Sequence, residues 1–371
     1  MADESANVFA DSPTSLVCLS CGAEYEDRWR CTCGHPLEFA HRPLPDGPAP
    51  DPAAFDTRDG LWAFSEFIPV EQRVSLGEGM TPLQQAPEWD AEFKLEYVFP
   101  TGSFKDRGAT TTLSRALELG VDRVVEDSSG NAGAAIATYA ARAGIDAEIY
   151  VPASVKASKL RAIEAAGATP VRVEGSRQDV TDACIDAAVA EGADAWYASH
   201  AWSPAFFAGT ATFAYETALQ RDWEVPDAVV TPLGHGTLFL GAYRGFRALA
   251  DAGWIDDVPR MYGAQAAGYA PIAAELHDDT AGSNDVADGI QIRDPVRKEA
   301  ILDAIEASGG DTIAMGERSV ERELDRLHEA GFYTEPTCAV APAGLAELRD
   351  RGEIRESEDV VVPLTGSGLK S

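Results

Sequence analysis

The sequence predicts an α/β chain with mostly parallel sheets covered by helices, preceded by a small zinc ribbon. Three observations predict it. From 121 to 265, strand-like and helix-like stretches alternate, joined by short connections that carry glycine. Four of the six cysteines crowd into the first 33 residues as two close pairs. At 371 residues and 45% hydrophobic content, the chain is long enough for two or three domains and a sizeable core.

In chain order, residues 1–13 are polar and are expected to fray. The ribbon is placed at 14–42. Cys18-Leu19-Ser20-Cys21 and Cys31-Thr32-Cys33-Gly34-His35 bring four thiolates close enough for one tetrahedral Zn²⁺, with His35 an alternative to Cys33. Gly22 and Gly34 permit the tight knuckle turns. Four protein ligands leave no open position, so this metal would be a folding staple. Residues 43–60 are rich in Pro, Asp and Gly and read as a linker. Ordered structure is expected from Leu61-Trp62-Ala63-Phe64 onward, with a turn at 75–83 feeding a short strand and another strand at 93–97. Further strands are predicted at 121–126, 147–151, 169–173, 195–197, 227–231 and 261–265. Helices are predicted at 132–143, 156–166, 179–191, 206–220 and 237–250. Residues 278–290 read as a loop, a candidate mobile active-site segment. Helices at 295–308, 319–330 and 339–351 and a strand at 360–364 complete the chain.

The net charge is −31, from 61 acidic and 30 basic residues. This argues against nucleic-acid and anionic-membrane partners. The acids are scattered along the whole chain, the pattern of a halophilic surface adapted to high salt, where screening removes self-repulsion. No apolar run approaches the roughly 20 residues that span a bilayer. The acidic N-terminus lacks a basic n-region, so a soluble cytoplasmic protein is expected. Cys184 and Cys338 stand alone and read as buried structural thiols.

Four stretches carry chemistry. In Phe99-Pro100-Thr101-Gly102-Ser103-Phe104-Lys105-Asp106-Arg107-Gly108, turn residues lead into a helix, so Lys105 falls at a junction where anions are favoured. A lysine beside an anion site suits Schiff-base chemistry with pyridoxal 5′-phosphate (PLP). Asp127-Ser128-Ser129-Gly130-Asn131-Ala132-Gly133 lies at a strand-to-helix turn, where small residues and free N–H groups can receive a carboxylate; an ordinary helix cap is the competing reading. Gly234-His235-Gly236-Thr237-Leu238 also opens a helix after a strand and can cradle a phosphate; it lacks the third Rossmann glycine and the P-loop Gly-Lys-Ser/Thr. Thr365-Gly366-Ser367-Gly368-Leu369-Lys370 ends the chain.

These stretches, in this order, resemble those of the threonine synthases, a family of fold-type II, tryptophan-synthase-β-like PLP enzymes. The likeness covers about 61–371 and includes Glu78-Gly79-Met80-Thr81-Pro82-Leu83; an N-terminal ribbon also occurs in some archaeal-type members. The resemblance implies a two-domain catalytic region at 61–371, with a smaller α/β subdomain at roughly 108–205. It implies that Lys105 carries the cofactor and moves protons. Asn131 would bond the ring oxygen, and Ser128, Ser129 and Gly130 the substrate carboxylate. Gly234, His235, Gly236, Thr237 and Leu238 would hold the cofactor phosphate, and Thr365 would face the pyridine nitrogen. The implied activity converts O-phosphohomoserine and water to L-threonine and phosphate, in a homodimer acting on a small amino-acid substrate.

One departure stands out. Phe206 and Ala211 occupy the positions where the family brings Arg and often Lys to the substrate's phosphate. Lys156, Lys159 and Arg107 are candidate replacements. Trp202, Phe206 and Phe207 would alternatively suit a more apolar substrate or the core. A β-eliminating or β-replacing enzyme, of the serine/threonine dehydratase or cysteate-synthase kind, is the second expectation, and a non-catalytic PLP-binding paralogue the third.

Overall fold

A computed structural model describes residues 15–370, apart from Glu191, Asp279 and the side chain of Ser158. The fraying expected at 1–13 lies outside those residues. Strands β1 (Leu16–Val17), β2 (Glu24–Tyr25) and β3 (Glu38–Phe39) form an antiparallel sheet in the order β2-β1-β3. Its knuckles close on backbone bonds from Gly22 to Cys18 (2.8 Å) and from Gly34 to Cys31 (2.9 Å), and both glycines have positive φ. Residues 43–60 carry no strand or α-helix, yet they are tied down. The indoles of Trp254 and Trp223 donate to the Gly47 and Pro50 carbonyls (3.1 and 2.7 Å), and Phe55 stacks on Phe64 at 5.0 Å.

A 3-10 segment, Gly60–Phe67, opens the body. Strands β4 (Leu83–Ala86) and β5 (Ala91–Lys94) pair antiparallel, and α1 (Lys105–Glu118) follows. Next, β6 (Arg123–Glu126), α2 (Asn131–Ala143), β7 (Asp146–Pro152), α3 (Ala157–Ala165), β8 (Thr169–Val173), α4 (Arg177–Val189) and β9 (Trp196–Tyr197) build a parallel sheet in the order β8-β7-β6-β9. The chain returns through α5 (Pro204–Gln220), β10 (Ala228–Pro232), α6 (Thr237–Asp251), β11 (Arg260–Ala266), α7 (Ala273–Leu276), α8 (Lys298–Ser308), β12 (Asp311–Met315), α9 (Glu317–Glu329), α10 (Val340–Asp350) and β13 (Val360–Pro363). The second sheet runs β12-β11-β10-β13-β5-β4, parallel except at β4–β5. Among the described residues, no helix is long and apolar enough to cross a membrane.

Strand alternation explains why both sheets are covered on both faces. Val124, Ile149 and Val151 join a core with α1 and α2, while Val125 and Tyr150 join Val180 and Cys184 of α4. In the larger sheet, Val229 and Val361 face α5 and α6, whereas Val230, Val360 and Val362 face α10. Cys184 and Cys338 are both fully buried core thiols.

Among the strands of the two larger sheets, two predictions differ from the structure. The strand expected at 93–97 stops at Lys94, and Glu96–Val98 form a 3-10 turn. Both Lys94 and Glu96 belong to a buried charge network, so an alternating reading is misleading there. The sequence reading also missed β12. It is an edge strand with a mixed burial pattern, between two stronger helical signals. The 278–290 segment is anchored towards its C-terminal end: Asn284 donates to the Met315 carbonyl (3.1 Å) and Gly289 N–H to Thr337 Oγ1 (3.2 Å).

Candidate active site

The site lies where the carboxyl ends of strands from both sheets meet, the usual ligand position in open parallel sheets. Lys105 is the first residue of α1. The turn before it is held by Asp106, which accepts from the Thr101 backbone N–H (2.8 Å) and from the Thr101 hydroxyl. The C-terminal stretch then clamps the loop. Phe104 N–H donates to the Thr365 carbonyl (3.0 Å), Ser367 N–H to the Gly102 carbonyl (2.9 Å), and Ser103 bridges Gly366. Lys105 Nζ lies 4.0 Å from the Phe104 ring centroid. Burial lowers the Lys105 ammonium to about 8, although Glu335 and Glu126 pull the other way. An amine so shifted keeps its proton at neutrality but gives it up a little above it.

Around it stand the other expected residues. Asn131 opens α2 and is held from both sides: its Nδ2 donates to Glu335 (2.9 and 3.1 Å) and its Oδ1 accepts from Lys370 Nζ (2.8 Å). Ser128 Oγ accepts from Gly130 N–H (3.3 Å), and Ser129 and Gly130 are half-buried. Gly133 is obligatory here, because a Cβ would lie 1.8 Å from the Ser128 carbonyl oxygen. Neither α2 nor α6 has a side-chain cap, so both helix starts are available to anions. Gly236 sits in the left-handed region (φ 77°) before Thr237 and Leu238, and Ile290 packs on Gly234. Thr365 Oγ1 lies 3.4 Å from Cys338 Sγ. Ser103 Oγ and His235 Nδ1 are buried without partners.

Several site residues escaped sequence reasoning: Glu335, Lys370, Glu126 and His200. His200 Nδ1 and Glu126 Oε1 share a 2.6 Å hydrogen bond. Burial pushes His200 down to about 3 and raises Glu126 well above the carboxylate range. Their position at the carboxyl ends of β9 and β6 was the available signal.

Two candidates for the substrate's phosphate are engaged elsewhere. Arg107 is fully buried, donating to Glu96 (2.7 Å) and Glu216 (2.6 Å), and Glu216 also takes Lys94 (2.9 Å). Lys159 pairs with Asp288 at 3.0 Å. The aromatics are core. Phe206 and Phe207 are buried, Trp202 packs on Trp29 (5.1 Å between centroids), and Ala211 is buried in α5.

In the ribbon, the Cys18, Cys21, Cys31 and Cys33 sulfurs all lie within 4.8 Å of one another. The Cys18–Cys33 and Cys21–Cys31 separations are 3.6 and 3.4 Å. Tetrahedral Zn–S bonds of about 2.3 Å require roughly 3.8 Å between sulfurs, so the donor set fits a zinc ion. His35 Nδ1 lies beside Cys33 Sγ at 3.4 Å, outside the four-sulfur group.

Residues 74–366 match the family profile described as "Pyridoxal-phosphate dependent enzyme". The fold is shared with maize serine racemase (TM-score 0.67, 22% identity, covering 78% of this chain and 88% of that one). It is shared as well with the processed threonine deaminase isoform 2 of Solanum lycopersicum (TM-score 0.66, 20% identity, covering 78% and 79%). Fold and profile define the class, a PLP-dependent enzyme of fold type II. The threonine synthase of Methanocaldococcus jannaschii is 32% identical over 95% of this chain and 92% of its own length, and that of Mycobacterium leprae is 31% identical over 84% and 87%. Within that class, the chain belongs to the threonine synthase family.

Proposed function

We propose that this protein is a threonine synthase, releasing phosphate from O-phosphohomoserine and adding water to give L-threonine. The observation that carries the reading is Lys105: an amine lowered to about 8, half-buried at a helix start, with two uncapped helix N-termini beside it. The residues fit PLP, which when bound would supply an electron sink at the substrate's α-carbon. Lys105 would hold the cofactor and then carry protons between substrate carbons, a task that needs a pKa near the working pH. Asn131 would turn its amide from Glu335 to the ring oxygen. Ser128, Ser129 and Gly130 at the start of α2 would orient the carboxylate. The backbone from Gly234 to Leu238, with Thr237, would hold the cofactor phosphate, and Thr365 would face the pyridine nitrogen. The four cysteines would hold a structural Zn²⁺, in a cytoplasmic homodimer.

A second reading draws support from the buried Phe206 and Ala211, which bring no cation to the substrate. It is a β-eliminating or β-replacing enzyme that takes serine or threonine. Assay of the purified protein separates the two. Phosphate release from O-phosphohomoserine, lost in Lys105→Ala together with the cofactor's visible absorbance, is the expected outcome. Turnover of serine or threonine with no phosphate release would reject threonine synthase.

A further inference from the structure

Two buried polar atoms on the Glu126–His200–His235 side of the site have no partner: His235 Nδ1 and Glu126 Oε2. The imidazoles of His200 and His235 meet edge to face, 5.4 Å between centroids. His200 also packs at 6.0 Å on Phe206, whose ring occupies the space beside Gly108, one turn along α1 from Lys105. The cluster is thereby fixed next to the reacting amine. Arg177, the first residue of α4, is exposed and without a hydrogen bond or ion pair among the described residues. Thr181, one turn later on the same helix face, donates to Asp127 (2.5 Å), so that face is turned toward the loop after β6. Arg177 acts electrostatically on Glu126, Asp127, His200 and His235 alike.

We propose that Arg177, His200 and His235 form the subsite for the substrate's own phosphate, replacing the cation missing at positions 206 and 211. The proposal rests on the threonine synthase reading. A guanidinium supplies charge and a planar pair of donors suited to a phosphate. The imidazoles supply short-range N–H groups in a place where a buried anion needs them. Glu126 and His200 share one proton. On Glu126 Oε1 it leaves His200 as the Nε2–H tautomer, and on His200 it gives an imidazolium whose Nε2–H is likewise free, so either distribution offers an N–H to an anion.

The test compares wild-type holoenzyme with Arg177→Gln and His235→Asn in three measurements: affinity for inorganic phosphate, steady-state release of phosphate from O-phosphohomoserine, and binding of L-homoserine followed by visible absorbance. Homoserine has the same carbon skeleton without the phosphate. Arg177→Gln is expected to weaken inorganic phosphate binding and raise KM for O-phosphohomoserine by about tenfold or more, changing kcat less and homoserine binding little. His235→Asn, which keeps a donor, should lose less. If wild type turns over O-phosphohomoserine and Arg177→Gln leaves KM unchanged, the subsite is overturned and the enzymatic reading stands. Phosphate binding that depends on Arg177, with no turnover of O-phosphohomoserine, supports an anion site there but rejects the threonine synthase reading and, with it, the assignment to that substrate's phosphate. No phosphate binding by wild type, or an equal loss of homoserine binding in Arg177→Gln, overturns the subsite.

Discussion

Lys105, the proposed cofactor lysine, carries a burial cost that lowers stability. Its ordinary pKa is 10.5, and burial brings it to about 8. The unfolded chain therefore binds more protons than the folded chain between those values, so this residue makes stability rise with pH from about 8 toward 10.5. Below about 8 the buried charge carries its full penalty. Lys105→Met in the cofactor-free protein is expected to raise Tm at pH 7 and to flatten the rise above pH 8. A lower Tm at pH 7 would contradict this account. Arg107, two residues on, is the opposite case. Two carboxylates and a threonine hydroxyl satisfy its donors, so it is part of the core. The motif places these two cations two residues apart, and only their partners leave one available for the proposed chemistry and commit the other to packing.

At the scale of elements, the site depends on how closely α1 can approach α5. A Cβ on Gly108 would lie 2.2 Å from a Phe206 ring carbon, and one on Gly209 would lie 1.9 Å from the Arg107 carbonyl oxygen. Both helices use glycine where the other presses in. Gly108→Ala should cost about 1–3 kcal/mol by overpacking. Phe206→Ala should cost about 3–5 kcal/mol by opening a cavity. The double variant should cost less than the sum, since removing the ring leaves room for the added methyl. Denaturant unfolding of the four proteins measures this, and strictly additive costs would refute the contact. The βα register of both sheets follows from alternating and periodic patterns, which is why most helices and strands were legible. Edge strand β12 was not, because its burial comes from β11 and its neighbouring helices and its own sequence carries little alternation.

At the scale of the molecule, the ribbon meets the body through Trp196 Nε1 on Asp27 (2.9 Å), Arg115 on the Glu26 carbonyl (3.2 Å) and, most deeply buried, the carboxylate of Glu38. Burial alone would raise Glu38, but Arg244, then Arg297 and Arg42, outweigh it and hold it at about 2. Arg297 also donates across the interface to the Leu37 carbonyl (3.0 Å) and, within the body, to the Trp202 carbonyl (2.9 Å) in the His200 loop. Glu38→Gln strands buried guanidinium groups and should cost about 3–5 kcal/mol, read by urea unfolding near neutral pH. Because the folded pKa is depressed, that contribution is complete above about 4.5 and is lost as pH falls toward about 2. An unchanged midpoint would mean the ribbon is held by its apolar contacts and by its bonds to Trp196 and Arg115. The net charge of −31 leads to a further expectation: the Tm should rise steeply with salt from dilute buffer to the molar range. A Tm insensitive to salt would reject a halophilic surface.

By itself the sequence determined what is local: the βα alternation, the cysteine knuckles, the loop-to-helix position of Lys105, and the small-residue turns at 127–133 and 234–238. Each is written in residues a few positions apart, whose backbone freedom and spacing act at short range. The tertiary structure alone decided the fate of the charges. Asn131 meets Glu335 across 204 positions and Lys370 across 239, and Arg107 meets Glu216 across 109. Whether a buried cation binds substrate, fastens a helix or anchors a ribbon depends on which anion the fold delivers to it, because the cost of desolvation is offset only where a partner stands ready.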